Sequence, residues 1–126
     1  MADFKLASTA EERNEAFRIA ASIFDKDNTD NGLKKLAWQQ EGLGNKGSVV
    51  LALNEGNIVG VARLCPARMF WQERQFSVVG LTSICILPDY RGFGLGKALM
   101  QWTLHHCDEA GFDFSYLIAR RLADHF

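Results

Sequence analysis

An apolar run, Leu81-Thr82-Ser83-Ile84-Cys85-Ile86-Leu87, is closed by Pro88. After Asp89 and Tyr90 comes Arg91-Gly92-Phe93-Gly94-Leu95-Gly96-Lys97, then Ala98-Leu99-Met100-Gln101-Trp102-Thr103-Leu104. This order constrains the fold more than any other stretch: a strand, a tight glycine turn, then a helix. The first N–H groups of a helix lack partners within the helix and carry its positive end, so they form a natural anion site. Glycine lets a bulky anion approach without interference from a Cβ. Arg91 and Lys97 add positive charge on either side. Without a ligand, the same pattern would be only a glycine-rich strand-to-helix turn.

Around this segment the chain alternates strands and helices. Phe4–Ala7 reads as a first strand. Thr9-Ala10-Glu11-Glu12 matches a capping box, and Ala16, Phe17, Ala20, Ile23 and Phe24 make an amphipathic stripe behind it. Leu33, Leu36, Ala37 and Glu41 suit a short second helix ended by Gly42. The glycine-rich stretch from Gly42 to Gly47 is a loop. Ser48–Leu53 and Ile58–Leu64 flank Asn54-Glu55-Gly56-Asn57 as a hairpin. Pro66 marks a bulge or edge position, and Trp71 to Gln75 is a polar connection. Phe76–Leu87 is a long strand with a bend or bulge expected at Gly80. The helix after the glycine turn runs about three to four turns to Gly111. Phe114–Ala119 is a further strand, and Arg120 to Phe126 begins another helix. The unit from Phe76 to Ala119 is thus a βαβ crossover with parallel strands. The expected class is α/β: a mixed sheet with helices on its faces, in one domain over residues 1–126.

Composition narrows the function classes. A formal charge of −1 over 126 residues argues against general nucleic-acid binding. No apolar stretch reaches the about 18 residues of a membrane span. The first residues lack a signal-peptide core, and Cys65, Cys85 and Cys107 suit free thiols in a reducing cytoplasm. No Cys or His spacing suggests a metal site, since His105 and His106 are adjacent and point apart on a helix.

The glycine spacing decides between phosphate sites. A P-loop needs GxxxxGK[ST], whereas Gly92 and Gly96 are closer and Ala98 replaces the magnesium-binding hydroxyl. The dinucleotide pattern GxGxxG fails as well, because the order here is GxGxG and the strand before it is not the first. The segment Ile84 to Met100 instead resembles the acetyl-CoA motif of the GNAT superfamily, the GCN5-related N-acetyltransferases. Their pattern, an apolar strand followed by Q/R-x-x-G-x-G/A and a helix, is met by Arg91-Gly92-Phe93-Gly94-Leu95-Gly96. The order of elements extends the resemblance over essentially the whole chain.

The resemblance implies an acetyl-CoA-dependent N-acyltransferase acting by direct attack of a primary amine, on a small-molecule or peptide acceptor. The turn of Gly92, Phe93, Gly94, Leu95, Gly96 and Lys97 would hold the pyrophosphate through its backbone N–H groups from Phe93 to Lys97, with the charge of Arg91 nearby. The backbone at Ile84, Cys85 and Ile86 would pair with the pantetheine arm. An N–H at Ile86 or its neighbours would polarise the thioester carbonyl. Ser83, with Thr82, would order a water for proton transfer, and Tyr90 would pack beside the cofactor. The pattern departs from the family in two ways. Phe76 to Ser83 carries no carboxylate as general base; Glu73 lies upstream of it. The family's continuation, a helix with a Tyr acid and two more strands, would follow Arg120–Phe126, where His125 is a terminal alternative acid. That leaves Phe114–Ala119 as an open edge and predicts a homodimer or association through it. A catalytically weak acyl-CoA-binding or regulatory domain is the competing function, and a nucleotide-binding domain is a third. On the acceptor side, Arg63 and Arg68 suggest an acidic acceptor. Met69-Phe70-Trp71 either lines an acceptor pocket or fills the core with alternate members.

Overall fold

In a computed structural model, the structure describes residues 2–43 and 47–117. The order is β1 (Ala2–Leu6), α1 (Ala10–Phe24), α2 (Thr29–Leu43), β2 (Ser48–Asn54), β3 (Asn57–Trp71) and β4 (Arg74–Ile86). A 3-10 turn (Pro88–Tyr90), α3 (Leu95–Glu109) and β5 (Phe114–Leu117) follow. The five strands form one sheet in chain order. β1 to β4 pair antiparallel, and β4 pairs with β5 in parallel from Val78↔Phe114 to Leu81↔Leu117. A β4–α3–β5 unit is therefore present, within the expected α/β mixed sheet. From residue 118 on, the expected continuation of the strand to Ala119 and the helix start at Arg120–Phe126, His125 included, lie outside the described residues. Residues 44–46 of the expected Gly42–Gly47 loop lie outside them too.

Alternation within the strands builds two cores. On β2, Val49 and Leu51 join Ala16, Phe17, Ile19, Ala20 and Ala21 of α1, together with Leu36 of α2. Val50 and Ala52 point the other way, toward Leu99 and Cys107 of α3. One face of the sheet thus carries α1 and α2, and the other carries α3. Burying such aliphatic side chains, at about 1.5–3 kcal/mol each, is the main force holding the layers.

β4 carries the feature that shapes the site. Val79 and Leu81 belong to the α3-side core, and so do Ile84 and Ile86, while Cys85 joins the α1 side. Strict alternation would put 79 and 84 on opposite faces. One extra residue resolves this: Arg63 pairs with Thr82 but Val61 pairs with Cys85, and Ser83 has φ 53. This is a bulge, and it lies at Ser83 rather than at Gly80. Gly80 pairs regularly with Cys65; a Cβ there would come within 2.8 Å of the Tyr116 ring. Glycine at this position makes room for an aromatic ring from β5 instead of bending the strand.

Two other elements differ from their sequence expectation, and the extension of β3 follows it. The second helix is 15 residues long, starts at Thr29 and passes through Gly42. Asn28 caps it, its side chain accepting from the Asn31 N–H at 3.2 Å. β3 extends through Pro66 to Trp71 as expected, with Pro66 at an edge position: β2 begins at Ser48 opposite Leu64, so β3 has no partner on that side beyond it among the described residues. The connection after Trp71 shrinks to Gln72 and Glu73, with φ of 49 and 64. No helix among the described residues is long and apolar enough to cross a membrane.

Candidate cofactor and acyl-transfer site

The two helix starts that flank the sheet are built differently. α1 is closed by Thr9, whose Oγ1 accepts from the Glu12 N–H at 3.1 Å. The second half of the expected capping box is displaced by one residue. Glu12 accepts from the N–H and hydroxyl of Ser8 and pairs with Lys5. These contacts, Lys5 first, hold its carboxyl down to about 2.

α3 is left open. Its N-cap is Gly94, in the left-handed region at φ 81 and ψ 7, and no side chain among the described residues caps it. The Gly94 carbonyl accepts from the Ala98 N–H at 3.1 Å, so the helix begins tightly. The N–H groups of Leu95, Gly96 and Lys97 precede any possible i−4 acceptor within the helix. Gly92, at φ 87, makes the turn before it. A Cβ built at Gly92 or Gly94 would meet none of the described residues within 4 Å, so among them the space above this turn is open. The first turn holds no acidic residue, and Lys97 lies within it. Positive dipole, unpaired donors and a missing Cβ converge on one spot, which suits a diphosphate.

Arg91 has a more definite job than adding charge. Its Nε donates to the Ile86 carbonyl at 2.8 Å, tying the turn to the end of β4. The glycine turn and the strand end therefore hold a fixed relation. Ile84, Cys85 and Ile86 are all buried, so only their backbone is available to a ligand. Burial pushes the Cys85 thiol up to about 12, which removes it as a nucleophile. A cleft of about 500 Å³ opens beside the turn, lined by Phe4, Asn54, Tyr90, Phe93, Gly94 and Leu95 among others. Tyr90 thus lines the cleft next to the glycine turn. Phe93, 82% exposed, forms the rim. The cleft touches the turn and β1 but not Ile84–Ile86.

The proton-transfer candidates separate. Thr82 and Ser83 are half-buried at the bulge, beside the strand end. Glu73 sits in the hairpin tip, about 30 Å from Ser83 at the rise of an extended strand, too far to act through one water. Met69, Phe70 and Trp71 are exposed along the same hairpin arm; they neither fill the core nor line the cleft. Tyr116 lies over Gly80 on β5. Arg63 is buried, with Nη1 donating to Gln39 Oε1 at 2.9 Å; sequence reasoning noticed Arg63 but not its burial or Gln39. No group of His, Cys, Asp and Glu among the described residues could hold a metal ion.

Residues 6–123 match the family described as the acetyltransferase (GNAT) domain. The chain belongs to the GNAT acetyltransferases. Solved structures share its fold. An aminoglycoside acetyltransferase from an uncultured soil metagenomic sample is 17% identical, with 99% of this chain and 84% of that chain covered and a TM-score of 0.77. Glucosamine-6-phosphate N-acetyltransferase from Arabidopsis thaliana is 13% identical, with coverage of 95% and 83% and a TM-score of 0.66. A transcriptional regulator from Bacillus halodurans C-125 is 14% identical, with coverage of 98% and 85% and a TM-score of 0.75. At such identities these neighbours establish the GNAT fold and nothing about the acceptor. No curated protein matches the chain by sequence.

Proposed function

We propose that this GNAT protein is an acetyl-CoA-dependent N-acyltransferase that acetylates a primary amine by direct attack. The observation that carries this reading is the uncapped N-terminus of α3, with Gly94 left-handed and open space above it. The N–H groups from Phe93 to Lys97 hold the pyrophosphate. Arg91 keeps that turn against the strand end through Ile86. The backbone of Ile84–Ile86 receives the pantetheine arm in strand fashion, and an N–H there, that of Ile86 or a neighbour, polarises the thioester carbonyl. Ser83 and Thr82 orient a water that takes the amine proton. Acetyl-CoA would supply the activated acetyl group; the C–N bond forms, the C–S bond breaks, and the proton taken from the amine passes through the same water to the leaving sulfur, so CoA departs as the thiol. Much of the rate enhancement comes from alignment, which the bulge and the Arg91 tether provide. We place the reaction in the cytoplasm, with β5, the last strand of the sheet among the described residues, pairing to a second copy. A sedimentation run that finds only monomer at high concentration removes that pairing.

The test is a thermal-shift panel with acetyl-CoA, ATP and NAD, followed by a thiol-release assay over mixed amines. Stabilisation by acetyl-CoA alone, with amine-stimulated thiol release, is expected. The absence of a carboxylate on β4 from Phe76 to Ser83, with Glu73 far away, favours a second reading: an acyl-CoA-binding or regulatory domain with weak catalysis. Acetyl-CoA binding without amine-stimulated release would select it.

A further inference from the structure

Arg63 lies on β3, on the face covered by α1 and α2. It is 2% exposed. Nη1 donates to Gln39 Oε1, and the guanidinium carbon sits 5.5 Å from the centroid of the Phe17 ring. Nε and Nη2 are buried and have no hydrogen-bond partner among the described residues. No ion pair among the described residues includes Arg63. Burial lowers its pKa, yet a guanidinium stays charged in proteins. A buried cation with two unmade hydrogen bonds is costly, so its presence calls for an anion.

The two idle nitrogens define which anion. Nε–H and Nη2–H lie side by side and parallel along one edge of the guanidinium. That edge is the fork that receives both oxygens of a carboxylate. Nη1, the nitrogen held by Gln39, is not part of it. The position fits an acceptor as well. Arg63 pairs across the sheet with Thr82, one residue before the Ser83 bulge. The cofactor turn and α3 pack on the opposite face of the same strand end. The cover over Arg63 is light: Gln39 is itself exposed, and α2 buries only Gly32 and Leu36.

We propose that Arg63 is the acceptor anchor, seating the carboxylate of an acidic primary amine on Nε and Nη2 beneath α2. This rests on the acetyl-transfer reading above.

The test pairs amines that differ only in the carboxylate: phenylalanine with phenylalaninamide, β-alanine with its amide, and glucosamine 6-phosphate as a phosphate arm. Thiol release gives kcat and KM for the wild type, Arg63→Lys and Arg63→Met. The carboxylate member of a pair is expected to be at least 30-fold better in kcat/KM. Arg63→Met should erase that preference through KM, leaving the amide within threefold and acetyl-CoA affinity unchanged. Arg63→Lys should recover part of it. Thermal shift with N-acetylated amino acids, without CoA, reads the same site independently: stabilisation of the wild type and none of Arg63→Met. The melting temperature of free Arg63→Met should equal or exceed that of the wild type, whereas a structural arginine predicts a fall. A preference that survives in Arg63→Met overturns the proposal, as does equal or no stabilisation of both proteins. A preference for glucosamine 6-phosphate over every carboxylate overturns the assignment of a carboxylate. Absence of thiol release with every amine refutes the transferase reading, while the binding arm still decides on Arg63.

Discussion

Replacing Gly94 with valine should separate cofactor binding from folding. Gly94 sits at φ 81, a conformation that costs an L-residue about 1–2 kcal/mol. No heavy atom lies within 4 Å of a Cβ built there, so the cost in the free protein is strain without collision. For a chain of this size that amounts to a fall of roughly 4–10 °C in Tm. The effect on the cofactor should be far larger, because the new side chain fills the space from which the pyrophosphate approaches. Losing two charge-assisted hydrogen bonds, at about 1.5–3 kcal/mol each, weakens binding by about 3–6 kcal/mol. That is a loss of roughly 150-fold to 25,000-fold in Kd. Gly111→Val is the matched control. Gly111 has φ 86 and equally open space, but lies at the other end of α3, about 22 Å away. Both variants should melt at similarly reduced temperatures, and calorimetric titration with acetyl-CoA should find binding lost only in Gly94→Val. Binding of Gly94→Val within threefold of the wild type would refute the proposed cradle, as would equal losses in both variants.

Acid should weaken the start of α1. The Glu12 carboxyl is held down to about 2 from a usual 4.5, so its contribution is present above pH 4.5 and lost as pH falls toward 2. The Tm gap between wild type and Glu12→Gln should therefore shrink across that window; a constant gap would contradict the assignment. The β3–β4 turn holds Gln72 and Glu73 left-handed, which Asn-Gly tolerates far better. Gln72→Asn with Glu73→Gly should raise stability by about 1–2 kcal/mol in denaturant titration and leave acetyl-CoA affinity unchanged. Gly60→Ala should do the reverse: its Cβ would lie 2.6 Å from Ile86 Cδ1 and 3.2 Å from the Cys85 carbonyl oxygen. The expected loss is about 1–3 kcal/mol together with weaker acetyl-CoA binding, because the strand end must move. A variant as stable as the wild type would show that β4 yields there freely.

Much of this was legible in the chain because local chemistry and tertiary placement agree. The Asn54–Asn57 turn, the Thr9 cap and the strand–glycine–helix unit each have a short-range cause. The Ser83 bulge was legible in principle. Val79 and Leu81 followed by Ile84 and Ile86 break the two-residue alternation, and that break marks an inserted residue. Gly80 drew the bulge instead, because a glycine within a strand suggests one, whereas its real cause is the Tyr116 ring from a strand 36 residues later. The Gln72-Glu73 turn was hidden because its residues are poor left-handed formers. The site divides in the same way. The open start of α3 follows from Gly94 itself, but the Arg91 tether to Ile86 and the idle fork of Arg63 under Gln39 arise from contacts between separate elements.

Backbone amide resonances followed during titration with acetyl-CoA test the central claim most directly. If the uncapped start of α3 holds the pyrophosphate and the end of β4 takes the pantetheine arm, the largest shifts fall on Gly92–Lys97 and on Ile84–Ile86. Saturation with acetyl-CoA that leaves the Leu95, Gly96 and Lys97 amides unmoved would contradict it.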